Sequence, residues 1–230
     1  MIAILVPVLS RPQNARPLVE SIHAATTVPY EIHFLCSPGD GAEIEAVSEM
    51  TQESRAQGTV VSFANGPGDW AKKINFGFAI TQSEFCLLGA DDLRFHVGWD
   101  KAALKVAEDT GAGVIGTNDL GNATVMRGLH STHPLVRRAY VETYGTIDTP
   151  GQCLHDEYSH QWVDTELVET AKVRRQWAFA SDSRVEHMHP FWKKGDMDAT
   201  YEKALSTSKE DHALYQQRRL LWSRAAMRAG

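Results

Sequence analysis

Short runs rich in apolar and β-branched residues alternate with segments of helical periodicity through the first half of the chain. Ile2–Val8, Tyr30–Cys36 and Phe85–Leu88 have the apolar content of buried strands, and a helix is predicted to end near Ala25. Further strands are predicted at Thr59–Phe63 and Ala112–Gly116, with helices at Ala42–Gln57 and Gly98–Thr110. Strands separated by helices of this length predict βαβ units and a mostly parallel sheet.

The second half of the chain loses this alternation and becomes more polar. The pattern predicts, in order, a strand at Ala123–Leu129, a helix at Leu135–Tyr144, a short helix beginning near Asp164, an extended segment at Arg184–His189 and a polar helix at Asp198–Ala229. The fold class predicted is α/β, with a C-terminal helical extension. The long helix is expected to pack on the body or on a partner subunit.

Composition narrows the class of protein. The 230 residues suffice for one α/β domain, and a formal net charge of −6 disfavours a non-specific nucleic-acid binder. Cys36, Cys86 and Cys153 share no metal-ligand spacing, which fits a reducing compartment such as the cytoplasm. The apolar start, Met1–Pro7, has no basic region before it and is expected to be a strand, not a signal peptide or membrane span.

The stretch from Gly68 to Asp100 is the most informative part of the sequence. A helix that begins near Asp69 leads into the buried strand at Phe85–Leu88, and Asp91 and Asp92 follow that strand. Ligands of open α/β sheets bind at the carboxyl ends of strands, where two adjacent carboxylates repel each other unless a cation is near. A solvated acidic turn is the alternative interpretation. No G-x-G-x-x-G follows the first strand and no G-x-x-x-x-G-K-[ST] occurs, so a dinucleotide fold and a P-loop are disfavoured.

Two later groups of residues add candidate chemistry. His187 and His189 are two positions apart, so their imidazoles face the same side if the segment is extended. They are either metal ligands or a structural pair at a strand end. Asp164 is either a helix N-cap or a carboxylate available for acid–base chemistry.

Several short motifs occur in an order that resembles one enzyme family. The motifs are Asn75–Gly77, Ala90–Asp92, Val163–Leu167 and the pair His187 and His189. Together they make the region from Met1 to Trp192 similar to GT-A-fold glycosyltransferases. The pattern is nearest to the mainly inverting family related to cellulose-synthase and SpsA-type catalytic domains, small members of which occur in bacteriophages. The resemblance implies a GT-A-like domain over residues 1–195, with a nucleotide-binding half (1–117), an acceptor and metal half (118–195), and a helical extension over 196–230.

The resemblance also implies roles for individual residues. The nucleotide-binding residues implied are Pro7, Leu9, Arg11, Asp40, Lys72, Lys73 and Asp91. Ala90 replaces the first acid of the family's D-x-D element, so Asp92 is the implied metal ligand and Asp91 the contact to ribose or sugar. His187 or His189 would add an imidazole, which favours Mn²⁺ over Mg²⁺.

The implied reaction is transfer of a hexose or pentose from a nucleotide-sugar, most simply a UDP-sugar, to an acceptor hydroxyl. A divalent cation stabilises the departing diphosphate. Asp164 would be the base of an inverting reaction, with Glu166 and Asp156 in reserve. The expected location is the cytoplasm, of a host cell if the chain is phage-encoded.

The acceptor and two other function classes stay open. Basic residues of the later half, Arg127, Arg137, Arg138, Arg174 and Lys193, suggest a polyanionic acceptor such as DNA with hydroxymethylated pyrimidines, although ordinary solvated surface explains each of them. A nucleotidyltransferase is one alternative function, and it usually has a Gly- and Arg/Lys-rich phosphate loop that this chain lacks after its first strand. A non-catalytic sugar- or nucleotide-binding module is the other, and Ala90 keeps it open.

Overall fold

The first strand lies near the middle of the sheet and is buried on both faces. In the computed structural model, which describes residues 1–53, 56–60 and 69–229, β1 (Ile2–Pro7) pairs in parallel with β2 (Tyr30–Cys36) and with β4 (Phe85–Leu88). Alternate residues of β1 face two different apolar layers, Ile4 to one side and Leu5 to the other. A strand covered on both faces explains why the opening run of the sequence is apolar throughout.

The sheet has eight strands in the order β3-β2-β1-β4-β7-β6-β8-β5. The remaining strands are β3 (Ala56–Val60), β5 (Leu93–Phe95), β6 (Val114–Asn118), β7 (Leu135–Arg137) and β8 (Trp177–His187). Four neighbouring pairs are parallel, and the three pairs that involve β7 or β5 are antiparallel. The predicted mostly parallel α/β sheet is confirmed.

Helices cover both faces of the sheet. They are α1 (Ala15–Ala25), α2 (Gly41–Glu53), α3 (Asp69–Ile80), α4 (Trp99–Thr110), α5 (Ala123–Met126), α6 (Arg138–Thr143), α7 (Val163–Val173), α8 (Ala199–Ser206) and α9 (Ser208–Ala229). Helices α1, α2 and α4 pack on one face, while α3, α6, α7 and α9 pack on the other.

The Asn75–Gly77 motif explains how α3 sits so near the sheet. A Cβ atom at position 77 would lie 2.9 Å from the side chain of Leu35 and 3.1 Å from that of Leu5, so glycine permits this approach. Asn75 exchanges two hydrogen bonds with the backbone of Leu154, at 2.8 and 2.9 Å. The motif therefore fixes a helix on the sheet and a distant loop on the helix.

Two secondary-structure predictions in the second half are wrong. Ala123–Leu129 is not a strand, because the side chain of Asn122 accepts a hydrogen bond from Thr124 N and caps the short helix α5. In the predicted helix Leu135–Tyr144, the first three residues instead form β7, since pairing with β4 and β6 outweighs local helical preference. The predicted strand Thr59–Phe63 overlaps β3, and its residues 61–63 lie outside the described residues.

The C-terminal extension packs on the body of the protein and is broken near Thr207 into α8 and α9. Asp211 of α9 accepts three backbone hydrogen bonds from residues 159–161, at 2.7 to 2.9 Å. Arg218 pairs with Glu166 of α7 and with Asp148, at 2.7 and 2.8 Å. The domain boundary after residue 195 stays a prediction, yet the residues beyond it are tied to α7 and to the loop before it.

Candidate active site

Asp91 and Asp92, the acidic pair, leave the carboxyl end of β4 at the centre of the sheet. The amide of Gly89 donates a hydrogen bond to the carbonyl of Leu5 in β1, at 2.8 Å. A Cβ atom at position 89 would stand 2.8 Å from that carbonyl oxygen, so glycine brings the two strand ends together. Both acids are buried, with exposed fractions of 4% and 7%. A solvated acidic turn is therefore not what the structure contains.

Arg11 links the acidic pair to the C-terminal extension. Its Nη1 lies 3.2 Å from Asp91 and 3.6 Å from Asp92, while Nε and Nη2 donate to the two oxygens of Asp198 at 2.8 and 3.0 Å. The guanidinium also lies 4.0 Å over the ring of Tyr201. Burial acts to lower the pKa of Arg11, but the hydrogen bonds to Asp198 and the charge of Asp91 outweigh it and raise that pKa. Arg11 is therefore a permanent positive charge beside the acids.

The two acids have opposite pKa shifts. Burial and the charge of Asp92 raise the pKa of Asp91 to about 7. Burial also opposes ionisation of Asp92, but the charge and hydrogen bond of His187, together with the hydroxyl of Tyr201, lower the pKa of Asp92. Asp92 thus holds the negative charge of the pair. A cation placed near Asp91 would favour its ionisation.

Asp92 and His187 fit a divalent cation, which would displace the proton that His187 shares with Asp92. Nε2 of His187 lies 3.2 Å from Oδ2 of Asp92, and two ligands about 2.1 Å from an octahedral ion stand about 3 Å apart. Oδ1 of Asp92 and Oδ2 of Asp91 are buried without a hydrogen-bond partner among the described residues. Within the same residues, no three His, Cys, Asp or Glu side chains already converge as a metal site. Sites with one or two protein ligands, completed by substrate phosphates, are usual for Mg²⁺.

Tyr201 covers the acidic pair from the C-terminal side. It lies in the first turn of α8, and its hydroxyl donates a hydrogen bond to Oδ2 of Asp92. Burial and the charge of Asp92 raise the pKa of Tyr201, so the phenol is neutral and donates its proton. One carboxylate oxygen thus contacts both an imidazole and a phenol.

His187 and His189 face the same side, as the extended-segment prediction requires. Their ring centroids are 4.9 Å apart. Nδ1 of His189 accepts a hydrogen bond from Phe191 N at 3.1 Å and caps the 3-10 helix Pro190–Trp192, while its ring packs 4.7 Å from that of Tyr201. Of the two histidines, His187 is the one that contacts Asp92.

His133 is a further imidazole beside the acidic pair. Its Nδ1 donates to the carbonyl of Leu88 at 3.0 Å, and its ring lies 4.8 Å from that of His187. Burial and the charge of His187 lower the pKa of His133 to about 3, so the ring is neutral. Its buried Nε2 has no hydrogen-bond partner within the described part of the chain.

Asp164 lies in the first turn of α7 and pairs with His130. The N-cap residue of α7 is Trp162, so the interpretation of Asp164 as a plain N-cap is wrong. Oδ1 of Asp164 accepts a hydrogen bond from Thr165 N at 2.7 Å, and Oδ2 lies 3.2 Å from Nε2 of His130. Burial acts to raise the pKa of Asp164, but the charge and hydrogen bond of His130 lower it. The carboxylate is therefore ionised and oriented.

Two acidic residues that follow β2, Asp40 and Glu43, hold the loop after β1. Oδ2 of Asp40 accepts hydrogen bonds from the amide and hydroxyl of Ser10, at 2.7 and 3.3 Å. Glu43, which the sequence did not single out, accepts a hydrogen bond from Arg11 N at 2.7 Å and is fully buried. Burial raises the pKa of Glu43. Asp40 thus lies beside the predicted nucleotide-binding loop that contains Leu9 and Arg11.

The two adjacent lysines of α3 differ in position. Lys73 is buried, donates to the carbonyl of Val8 at 2.7 Å and pairs with Asp69 at 2.9 Å. Lys72 is exposed. Lys73 therefore reaches the exit of β1, next to Pro7, and its ammonium contacts protein groups there.

The reserve acids for base catalysis are not equivalent. Glu166 is buried and accepts hydrogen bonds from Tyr158 at 2.9 Å and from Arg218 at 2.7 and 2.8 Å. Those contacts make Glu166 an anchor of α9, so it does not suit the role of a base. Asp156 is half-buried in the loop before α7.

Four of the five basic residues predicted to bind a polyanion make a hydrogen bond or ion pair within the protein. Arg137 pairs with Glu84 at 2.8 Å, while Arg138 and Arg174 donate to backbone carbonyls, at 2.9 and 2.8 Å in their shortest bonds. Arg137 also pairs with Phe85, at the end of β4 opposite to the acidic pair. These contacts engage the three guanidinium groups, and the binding of a polyanion to one basic face stays a prediction. Arg127 and Lys193 are exposed, although Nε of Arg127 donates to the carbonyl of Ala123 at 3.1 Å.

Sequence reasoning missed five residues of this region: Glu43, His130, His133, Asp198 and Tyr201. The two histidines lie between Arg127 and Arg138, a segment considered only for its possible contacts with the acceptor. Asp198 and Tyr201 reach the acidic pair through a contact between the two ends of the chain, which no local pattern signals.

Comparison with known proteins yields a structural likeness only. No protein-family model matches the chain, and no curated protein matches it in sequence. Residues of the chain superpose on S. aureus TarS 1–349 in complex with UDP with a TM-score of 0.64, at 12% identity, over 80% of this chain and 59% of that one. The mannosyltransferase PcManGT from Pyrobaculum calidifontis, in complex with GDP-Man and Mn²⁺, matches with a TM-score of 0.66 at 12% identity, over 99% of this chain and 74% of that one.

A third similar structure is glucosyl-3-phosphoglycerate synthase from Mycobacterium tuberculosis in complex with Mn²⁺, UDP-glucose and phosphoglyceric acid. Its TM-score is 0.58 at 13% identity, over 95% of this chain and 79% of that one. The chain has the GT-A-like fold. At these identities the likeness establishes the fold alone, and this chain spans little more than half the length of the TarS fragment. Within the described residues, no helix is both long and apolar enough to cross a membrane.

Proposed function

We propose that this protein is a metal-dependent glycosyltransferase that moves a sugar from a nucleotide-sugar, a UDP-sugar in the simplest case, to an acceptor hydroxyl. The observation that carries the proposal is the contact between Asp92 and His187, 3.2 Å apart at the carboxyl end of β4, in a GT-A-like fold. The unpartnered oxygens of Asp91 and Asp92 among the described residues support it, because buried carboxylate oxygens need a cation or a donor.

The donor would lie along the carboxyl ends of β1, β2 and β4. In this proposal Asp92 and His187 would hold Mn²⁺ or Mg²⁺, with His189 beside them, and the cation would supply positive charge for the departing diphosphate. Asp91 contacts the ribose or the sugar, and Arg11 contributes positive charge near the phosphates. The remaining donor-binding residues in the proposal are Pro7, Leu9, Asp40 and Lys73.

Base catalysis would take place at Asp164. Its carboxylate is ionised and fixed through both oxygens, which are the properties of a group that orients or removes a proton. An inverting displacement needs one such group on the acceptor side. The acceptor itself is proposed only as a hydroxyl compound, with hydroxymethylated DNA as its sharpest test case.

Calorimetry of UDP, GDP and their sugars in Mn²⁺, Mg²⁺ or excess EDTA tests the donor half of this proposal. We expect tighter binding of a nucleoside diphosphate with either cation than with EDTA. Equal affinity with and without a cation would contradict the metal site. Release of pyrophosphate from a nucleoside triphosphate would indicate a nucleotidyltransferase instead, and binding without turnover on any acceptor would favour a binding module.

A further inference from the structure

His130 and Asp164 form a side-chain pair, and the function proposed above assigns a role to Asp164 but none to His130. His130 lies in the loop between α5 and β7, whereas Asp164 lies in the first turn of α7. Nε2 of His130 is 3.2 Å from Oδ2 of Asp164, and the side chains are 15% and 21% exposed. The pair is thus withdrawn from bulk solvent yet still open to a ligand.

The protonation of the pair follows from its hydrogen bonds. Asp164 is ionised, because its pKa is lowered, and a carboxylate only accepts hydrogen bonds. Nε2 of His130 must therefore carry the hydrogen that lies between the two groups. In the neutral imidazole the lone pair is then on Nδ1, which points away from the carboxylate.

We propose that His130 is the proton acceptor of the transfer reaction and that Asp164 orients its ring and stabilises its charged form. This inference rests on the proposed function and divides the base role between the two residues. As the acceptor oxygen bonds to the anomeric carbon, the bond from that carbon to the diphosphate oxygen breaks and its electron pair leaves with the diphosphate. The hydroxyl proton passes to Nδ1 of His130, and the carboxylate of Asp164 stays ionised. A carboxylate plays the same part beside the histidine of serine hydrolases.

The charged groups around the pair determine its response to pH. Burial acts to lower the pKa of His130, but the carboxylate of Asp164 outweighs it and raises that pKa. Lys172 acts to lower the same pKa and Asp119 acts to raise it. His133 also faces the carboxylate of Asp164, but its ring is neutral except in acid, because its own pKa is lowered to about 3. His160 also lies within reach of the charge of Asp164. Because only the neutral imidazole accepts a proton, the rate should rise with pH through this raised pKa.

NMR titration of the histidine Cε1–H signals tests the pair without any need for turnover. We expect the His130 signal to titrate above the usual value of about 6.5. In Asp164→Asn its midpoint should fall, since the neutral amide no longer stabilises the imidazolium. A His130 midpoint that does not respond to Asp164→Asn would overturn the inference, whether or not the protein transfers sugar.

Steady-state kinetics test the chemical role. We expect His130→Gln to lower kcat by about 10²–10⁴-fold with little change in nucleotide affinity, and to move the acid limb of the pH profile to lower pH. His96→Gln is the matched control, because His96 also contacts a carboxylate, Glu186 at 2.9 Å, but outside this pair. Its kcat and acid limb should match those of the wild type.

Two results separate this inference from the function on which it rests. If the wild type transfers sugar and His130→Gln keeps its rate and acid limb, His130 is not the base and the glycosyltransferase proposal survives. If no donor is turned over by the wild type, the function itself fails, and with it the role assigned to His130. A loss of kcat in His130→Ala that added imidazole restores supports the inference directly.

Discussion

Arg11 donates two hydrogen bonds to the carboxylate of Asp198, at 2.8 and 3.0 Å, although 187 positions separate the two residues in the chain. The same guanidinium faces Asp91 and Asp92, so the C-terminal segment determines how much of the charge of Arg11 is directed at the acidic pair. The extension is thus connected to the candidate metal site, even though sequence reasoning set it outside the catalytic region.

We expect Asp198→Ala to weaken Mn²⁺-dependent nucleotide binding by up to about fivefold, since a partly exposed ion pair is worth about 0.2–1 kcal/mol. Once freed from Asp198, the guanidinium turns fully to the acidic pair and competes with the cation. Amide hydrogen exchange in α8 should rise, because Asp198 also caps that helix through Tyr201 N. Glu202→Ala, an exposed acid of the same helix, is the control. Unchanged binding and exchange in Asp198→Ala would argue against this coupling.

Asp92→Asn should abolish the cation dependence of nucleotide binding. The amide lacks the charge that a divalent ion requires, while its shape is nearly the same. Loss of a residue that hydrogen-bonds to a metal ligand already lowers metal affinity by about 10–100-fold. Loss of the ligand itself should lower the affinity at least as much. Calorimetry with Mn²⁺ is the measurement, and Asp109→Asn, on the exposed face of α4, is the control. Wild-type cation dependence in Asp92→Asn would move the metal site elsewhere.

Asp164→Asn should lower turnover by about 10²–10⁴-fold while nucleotide affinity stays within about twofold. The substitution removes the charge that fixes His130 but does not touch the acidic pair. Comparison of kcat with the affinity for nucleotide and metal checks this. Near-wild-type turnover would remove Asp164 from the mechanism and leave Asp156 as the reserve, because Glu166 is already bound by Tyr158 and Arg218.

The strands and most of the helices of the first half could be predicted because each is encoded locally. Strands β1 and β4 are buried on both faces, so they are apolar throughout and their ends are visible in the sequence. The position of Asp91 and Asp92 just after the end of β4 could therefore be predicted. The predictions for Ala123–Leu129 and for the start of Leu135–Tyr144 were wrong because a cap and a strand pairing prevailed over local propensity.

The candidate site was predictable only where its residues follow a strand or share a short motif. Asp92 and His187 are of this kind. The partners that define their chemistry, Tyr201 on Asp92 and His130 on Asp164, come from segments 109 and 34 residues away. Such contacts depend on the packing of α8 and of the loop before β7, which periodicity does not encode.

Acid should destabilise the protein partly through Asp148. Its hydrogen bond with Arg218 lowers the pKa of Asp148 to about 2, against about 3.9 in an unfolded chain. A depressed folded-state pKa stabilises the fold above the unfolded value, and the benefit is lost as pH falls from about 4 toward 2. We therefore expect Tm to fall less steeply over this range in Asp148→Asn than in the wild type. Equal slopes in scanning calorimetry would mean that the Arg218 contact contributes nothing in solution.

The five basic residues predicted to bind the acceptor differ in exposure and in their contacts, so the acceptor prediction can be made more specific. Arg127 and Lys193 are exposed, whereas Arg137, Arg138 and Arg174 are half-buried and their guanidinium groups are engaged by Glu84 or by backbone carbonyls. If duplex DNA with hydroxymethylated pyrimidines is the acceptor, two contacts predict a slope of log affinity against log salt of about −1.8, and five would give about −4.5.

The assay measures transfer from a labelled UDP-sugar to modified DNA and to a panel of simple glycosides, at low and moderate salt. Replacing both Arg127 and Lys193 with alanine should flatten the slope on DNA, whereas Arg137→Ala should leave it unchanged, since Arg137 pairs with Glu84 at the opposite end of β4. A neutral glycoside neutralises no phosphates and should show almost no slope. Transfer to glycosides alone, insensitive to salt, would remove DNA as the acceptor while the proposed sugar transfer stands.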